Sequence, residues 1–332
     1  MLGASGLWLK KRIFVRTLRL GVMRSILGIL LFGILPSVTW AQDHVWWSQN
    51  VGWDGVTHWR EYLVFSPRYL GPNALPVPEQ SLGRVFRHSE VHLAGNVHWS
   101  PGDRTINPAG YLRYAAWPGR ISFDLYWVPV EFFRTSHHWK TERNVFHTFY
   151  DTRQAGGDVI LQTQFQVFSE LPKRPGLALR VGYRFPSSNT VGAARFTDSP
   201  GFHIDFSAGK DWTIGQDTLR PVAMLGLLVW QTNQDDQVQN DALLYGAGLE
   251  YRVGKWMLRG ICRGYAGYLD NGDRPVQIEF LVRKDWSWGA LWSRYIGGFG
   301  DWPYQRWEFG VGRRLHPNRT RQDERRNTPH LP

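Results

Sequence analysis

Between Ala242 and Gly298 apolar and polar residues alternate one by one, and this pattern restricts the chain more than any other feature. Leu249, Tyr251 and Val253 alternate with Glu250 and Arg252. After a break at Gly254-Lys255 the alternation resumes, with Trp256, Leu258, Gly260 and Cys262 on one side and Arg259 and Arg263 on the other. It returns as Val276, Ile278, Phe280 and Val282 against Gln277, Glu279 and Arg283. A period of two belongs to strands, because a helix returns to one face only every 3.6 residues. Each run lasts about ten residues, the length a tilted strand needs to cross a hydrocarbon layer. Large rings on one face and charges on the other read as lipid outside and polar partners inside. The expected fold class is all-β: a closed antiparallel transmembrane β-barrel.

Similar runs recur from residue 88 onward. We expect twelve strands, at about 88–98, 110–117, 120–132, 158–168, 176–185, 202–209, 219–230, 242–253, 256–268, 276–283, 288–297 and 304–314. The connections alternate between short ones (Pro118-Gly119, Gly254-Lys255, Lys284–Ser287) and longer polar ones such as Phe133–Gly157 and Gln231–Asp241. Short periplasmic turns and longer outer loops are usual in outer-membrane barrels, and an even strand count leaves both termini on the periplasmic side. The barrel is thus expected over 87–314. The charge-rich stretch 315–332 reads as a disordered basic tail.

The N-terminus carries a route signal. Six cations precede the apolar run Ile26–Leu35, which Pro36 and the small residue Ala41 follow, so 1–41 reads as a leader and signal peptide. Met23 begins a shorter version of it. The run is too short to span a bilayer as a helix, so an exported chain with bilayer-length strands is expected in the outer membrane of a Gram-negative bacterium. Residues 42–86 lack the alternation. Trp59–Phe65 reads as one isolated strand, and the proline-punctuated Ser66–Pro78 cannot sit within a sheet. Two readings stand for this segment: a periplasmic linker, or a partial plug folded into the barrel mouth.

Composition narrows the function classes. The chain has 332 residues, 18 Trp, 13 Tyr and 18 Phe, which suits amphipathic rings at two membrane–water interfaces. The formal charge of +11 is concentrated in the leader (+6) and the stretch 313–332 (+4), leaving +1 for the body. No basic stripe remains for nucleic acid, and no nucleic-acid partner is expected. One cysteine, Cys262, excludes an internal disulfide framework and multi-cysteine zinc sites.

Strand parity places His92, Asn96, His98, Arg113, Asp124, Gln162, Gln164, Gln166, His203, Arg220, Arg306 and Glu308 inside. The candidate pore-lining set is Arg180, Arg184, Asp205, Glu250, Arg252, Arg259, Arg263, Glu279 and Arg283. Arg294 is placed inside with them, although it shares its parity with Trp288 and Trp292. Charges of both signs fit a lumen, where partners or water exist, and cost a few kcal/mol each on the lipid side. They support either a polar passage for small anionic or hydroxylated solutes or a salt-bridged interior that holds a narrow barrel closed. The expected partners are outer-membrane lipid, a small solute and the barrel-assembly machinery.

The acids of the outer loops, among them Asp103, Asp198, Asp235, Asp236, Asp270, Asp273 and Asp301, lie in turn-forming contexts without the spacing of a calcium loop. No metal and no cofactor is expected. For lipid hydrolysis the ingredients are Ser89 with His88, and Ser136 with His137, His138 and His147. His88 and Ser89 face opposite ways on a strand, and no Gly-x-Ser-x-Gly elbow occurs. No catalytic residue is assigned.

The block from Gly157-Asp-Val-Ile-Leu-Gln through Pro175-Gly-Leu-Ala-Leu-Arg to Phe185-Pro-Ser-Ser188 resembles a hairpin of outer-membrane transporter-like barrels associated with aromatic-hydrocarbon degradation. Those barrels end the hairpin on glycine, where this chain has Ser188. The later ARFTDSPGF, WQTNQDDQVQND and Gly-Tyr-x-Gly-Tyr elements resemble an uncharacterised group of outer-membrane barrels. The resemblance implies a barrel that passes small molecules and assigns no site residues.

Overall fold

The computed structural model describes residues 45–146, 152–188, 190–267 and 273–315. The leader 1–41, His147, Asp270 and the tail beyond Leu315 lie outside them. Fifteen strands form in these residues: β1 Ser89–Ser100, β2 Asp103–Trp117, β3 Ile121–Trp127, β4 Glu131–Thr135, β5 Thr152–Ala155, β6 Val159–Phe168, β7 Gly176–Phe185, β8 Gly201–Gly209, β9 Trp212–Ile214, β10 Asp217–Gln231, β11 Gln239–Val253, β12 Trp256–Gly267, β13 Pro275–Asp285, β14 Gly289–Gly300 and β15 Tyr304–Leu315. Twelve of them pair antiparallel with their chain neighbours, and β1 pairs with both β2 and β15, which closes the sheet. Closure matters physically, because an open edge in hydrocarbon would leave a row of unpaired backbone groups. β4, β5 and β9 are short additions to the wall.

Leu93, Leu225, Phe206, Phe280 and Phe309 are exposed on the outside, while their neighbours in sequence point in. On β13 the burial alternates as the sequence requires: Gln277, Glu279 and Leu281 in, Ile278, Phe280 and Val282 out. Trp117, Trp212, Trp256 and Trp288 collect at the short-turn end, where Lys284 Nζ lies 4.7 Å from the Trp256 ring centroid. This is the aromatic belt of a transmembrane barrel. Among the described residues no helix is long and apolar enough to cross a membrane.

Four expectations need correction. Trp59–Tyr62 is a 3-10 turn, not a strand, because Leu63 N–H bonds back to the Arg60 carbonyl at 3.2 Å. The expected strand 120–132 ends at Trp127; Glu131–Thr135 belongs to the β4–β5 hairpin, which continues the wall from the start of β2. The expected loop 100–109 shrinks to a tight turn at Pro101-Gly102, and Asp103 is a buried strand residue. Trp292, which reads as a lipid-facing ring like Trp288, faces inward together with Arg294. Trp47, Trp139, Trp230 and Trp302 are buried as well, so the tryptophan excess serves the interior as well as the interfaces.

Residues 59–87 run through the interior. At the loop end Arg60 pairs with Asp198 at 2.7 Å, and Ser66 Oγ donates to Asp273 at 2.5 Å. Also toward the loop end, Asn73 Nδ2 donates to Glu131 at 2.8 Å, and midway Glu79 pairs with Arg294 at 2.5 Å. At the turn end Val85 N–H donates to Gln166 at 2.8 Å, and Gly119 N–H to the Phe86 carbonyl at 3.1 Å. Gly83 has φ +70 and lies so close to the wall that a Cβ there would fall 2.4 Å from Gly209 N. Only glycine fits. Leu63, Leu70, Leu75 and Val77 pack with Met224, Trp230, Leu244 and Tyr265 of the wall as the main apolar cluster.

Candidate functional site in the barrel lumen

The inward charges form three tiers down the barrel. At the turn end, Arg220 Nη1 bridges Glu170 (2.7 Å) and Asp211 (2.6 Å), and its Nε donates to the Leu82 carbonyl at 3.0 Å. Arg84 of the inner segment reaches Glu250 at 2.9 Å and Asp211 at 3.3 Å. Glu250 also receives Arg259 at 3.1 Å and Arg252. In the middle tier Arg180 pairs with Asp205 at 2.8 Å, and Arg263 with Glu279 at 3.2 Å. Arg294 reaches Glu308 at 2.7 Å and Glu279 at 3.6 Å, and Arg306 holds Glu308 and Asn96. At the loop end Arg195, fully buried, spans Asp103 (2.5 Å), Glu131 (2.7 Å) and Thr105 (2.7 Å), while Arg143 reaches Asp103 at 2.9 Å.

All nine candidate pore-lining residues thus meet partners on the inner side of the wall. Arg180, Arg184, Asp205, Glu250, Arg263 and Glu279 are buried. Arg259 and Arg283 are part-buried, the latter bonding Asp285 at 2.9 Å. Arg252 sits at the turn-end mouth with its side chain 43% exposed, so it belongs to the rim. Three groups escaped sequence reading. In the tier around Arg195, Asp103 and Glu131, the first two lay in supposed loops and Glu131 at the end of the expected strand 120–132, although Asp103, Thr105 and Asn107 already alternate at strand period. The inner segment supplies Glu79 and Arg84, whose pairing with distant strands has no local signal. Trp292 looked like a lipid-facing ring, yet its Nε1 donates to Glu308 at 3.0 Å.

Between the segment and the wall lies a cavity of ≈ 230 Å³. Its lining includes Leu75, Pro76 and Val77 of the segment and Tyr111, Arg113, Tyr126, Arg180, Arg184, His203, Trp230, Arg294 and Arg306 of the wall. No group of three or more possible metal ligands occurs among the described residues.

The loop end is a folded cap. Helix α1 (Val45–Val51) lies against α2 (His137–Glu142): Trp46 Nε1 donates to His137 at 3.2 Å, and Asn50 Nδ2 donates to the Thr141 carbonyl at 3.1 Å. The hydroxyls considered for hydrolysis have structural duties. Ser136 Oγ accepts the Trp139 N–H as the cap of α2, and Ser89 Oγ accepts the Ala115 N–H at 3.1 Å.

No protein-family model and no curated protein matches this chain. Solved structures with a similar course of the chain include an outer membrane channel from Pseudomonas putida (12% identity, TM-score 0.49, 72% of this chain and 99% of that one). The KdgM porin is also among them (6% identity, TM-score 0.36, 68% of this chain and 99% of that one). So is the CymD monoaromatic hydrocarbon channel (8% identity, TM-score 0.34, 70% of this chain and 90% of that one).

One acid at the loop end responds to pH. Asp273, in the connection between β12 and β13, has its carboxyl pushed up to about 6: burial disfavours the charge, and nearby Asp301 adds repulsion against the Ser66 hydrogen bond. A carboxyl raised in the folded state takes up a proton on folding. Its stabilising contribution is therefore complete below the ordinary aspartate range and fades as pH rises through about 6. The heat-induced unfolding temperature is expected to fall by a few degrees between pH 5 and 7.5, and Asp273→Asn to remove that part of the fall. Equal pH slopes for the two proteins would refute it.

Proposed function

We propose that this chain is an outer-membrane channel for small solutes whose lumen is held closed by its own residues 59–87. One observation carries the reading: the segment crosses the lumen as irregular, proline-rich chain, held by side-chain pairs and loop contacts rather than by sheet pairing. Each such contact contributes roughly 0.5–3 kcal/mol net, the upper part of the range for those to carboxylates, whereas the wall is stitched by continuous ladders. The segment can therefore shift while the barrel stays closed on itself. Solute passage needs that shift, since the space beside the segment amounts to ≈ 230 Å³. The signal-like leader and the short-turn end set toward the periplasm fit export to the outer membrane.

Planar-bilayer recording tests this. The intact chain is expected to be silent or to open briefly and rarely, and removal of 45–86 to give long-lived conductance steps. A disulfide between Ser66→Cys and Asp273→Cys, in a Cys262→Ser background, is expected to abolish the rare openings until reduced. A deletion variant that still migrates as a folded barrel yet never conducts would refute the channel reading. In that event the packed α1–α2 cap supports a second reading, a closed barrel whose loops 133–157 and 231–241 engage a partner.

A further inference from the structure

On β7 and β8 two inward side chains each lie across the glycine opposite the other. In the register Arg184 faces Gly201, and Gly182 faces His203. A Cβ built on Gly201 would fall 3.2 Å from Arg184 Nη2, and one on Gly182 would fall 2.1 Å from the His203 ring. The imidazole thus occupies space that only a glycine leaves free, and the guanidinium sits tightly against Gly201. On the far side of Gly201, in the same cross-strand row, stands Trp230 of β10. All three side chains are buried and border the lumenal cavity. Arg184 Nη2, His203 Nε2 and Trp230 Nε1 have no hydrogen-bond partner, the imidazole nitrogen lying 3.9 Å from Asp205 Oδ2, beyond hydrogen-bond reach. Buried polar groups nearly always find one. Three spare nitrogens on one wall of a cavity are a binding surface awaiting an acceptor.

Charge decides what kind of acceptor. Arg180 is neutralised by Asp205 at 2.8 Å, and Arg184 Nη1 has Asp158 at 3.6 Å. Two cations and two anions cancel, so an incoming carboxylate would meet repulsion from acids already in place and lose its own hydration. An uncharged oxygen has only its hydrogen bonds to satisfy. The facing wall is apolar: Arg184 Nη1 donates to the Ala74 carbonyl, which sets Leu75, Pro76 and Val77 beside the patch. Size is permissive as well, since a 150 Å³ cavity suffices for benzene and this one measures ≈ 230 Å³.

We propose that Arg184, His203 and Trp230 bind an uncharged small molecule with an apolar body and an acceptor oxygen, an alcohol or a ketone, its body lying against Leu75, Pro76 and Val77. The site uses the inner segment as one wall but does not depend on conduction, so a barrel silent in bilayers would still bind.

The test is calorimetric titration of the folded, full-length barrel in detergent with cyclohexanone, corrected for the same micelles without protein. Cyclohexanecarboxylate serves as the charged comparison. Saturable binding of the ketone is expected, at least tenfold tighter than that of the carboxylate. His203→Phe keeps a ring over Gly182 and removes Nε2; Trp230→Phe keeps the bulk and removes the N–H. Each is expected to weaken the ketone about fivefold while heat-modifiable migration is unchanged. No saturable binding, an affinity unchanged from the parent in both variants, or tighter binding of the carboxylate would overturn the proposal.

Discussion

Replacing Phe280 by arginine is expected to cost about 2–4 kcal/mol of barrel stability in a bilayer, the penalty for a cation near the middle of the hydrocarbon. Phe280 stands at the centre of β13, 59% exposed, between the inward Glu279 and Leu281. Its ring faces acyl chains, which neither solvate a guanidinium nor offer a counter-charge. Phe280→Leu keeps the surface apolar and is expected to stay within about 1 kcal/mol of the parent. Denaturant titration of barrels folded into lipid vesicles, followed by tryptophan fluorescence, measures both. A tolerated arginine beside a damaging leucine would place this face against protein or water.

The second large effect lies inside. Arg195 is fully buried between Asp103 and Glu131 and also donates to Thr105. A buried pair is weak evidence of net stabilisation, but removing one partner strands the others and typically costs about 3–5 kcal/mol. Arg195→Met leaves two acids facing each other, with Arg143 and Asn73 as remaining partners. The heat-induced transition should drop by ten degrees or more. Adding Glu131→Gln should restore part of the loss, because one stranded charge disappears. A double variant no more stable than Arg195→Met would show that the acids are not the source of the damage. Since Asn73 of the inner segment bonds Glu131, the single variant is also expected to speed proteolysis of 59–87.

Sequence reading succeeded where a residue's environment follows from its immediate neighbours. Arg259, Arg263 and Glu279 sit between apolar residues at strand period, so their side of the wall could be told without knowing any partner. The same logic placed ten of the twelve barrel strands to within a few residues, whereas β2 starts seven residues before its expected start and β3 ends five before its expected end. It failed where tertiary contact overrides the local pattern. Trp292 is apolar enough for lipid, yet Glu308 and the His92 ring, 5.1 Å away, give it an interior place. Asp103 looked like a loop acid because Pro101-Gly102 breaks the alternation on its flank, and Glu131 was assigned to the strand before it although Pro129 separates the two. The course of residues 59–87 was not legible at all. It has no period, and its positions are fixed by residues more than a hundred places away, such as the loop residue Asp198 for Arg60 and Arg294 of β14 for Glu79.

Everything rests on which way consecutive side chains of one strand look. Spin labels placed one at a time at residues 258 to 263 of β12, starting from the native Cys262, report this through their collisions with oxygen, which dissolves in lipid, and with a water-soluble nickel complex. The structure predicts high oxygen accessibility at 258, 260 and 262 and low accessibility at 259, 261 and 263. A flat profile, or one with the opposite phase, would mean that β12 does not divide lipid from lumen and that the barrel described above is not the protein's state in the membrane.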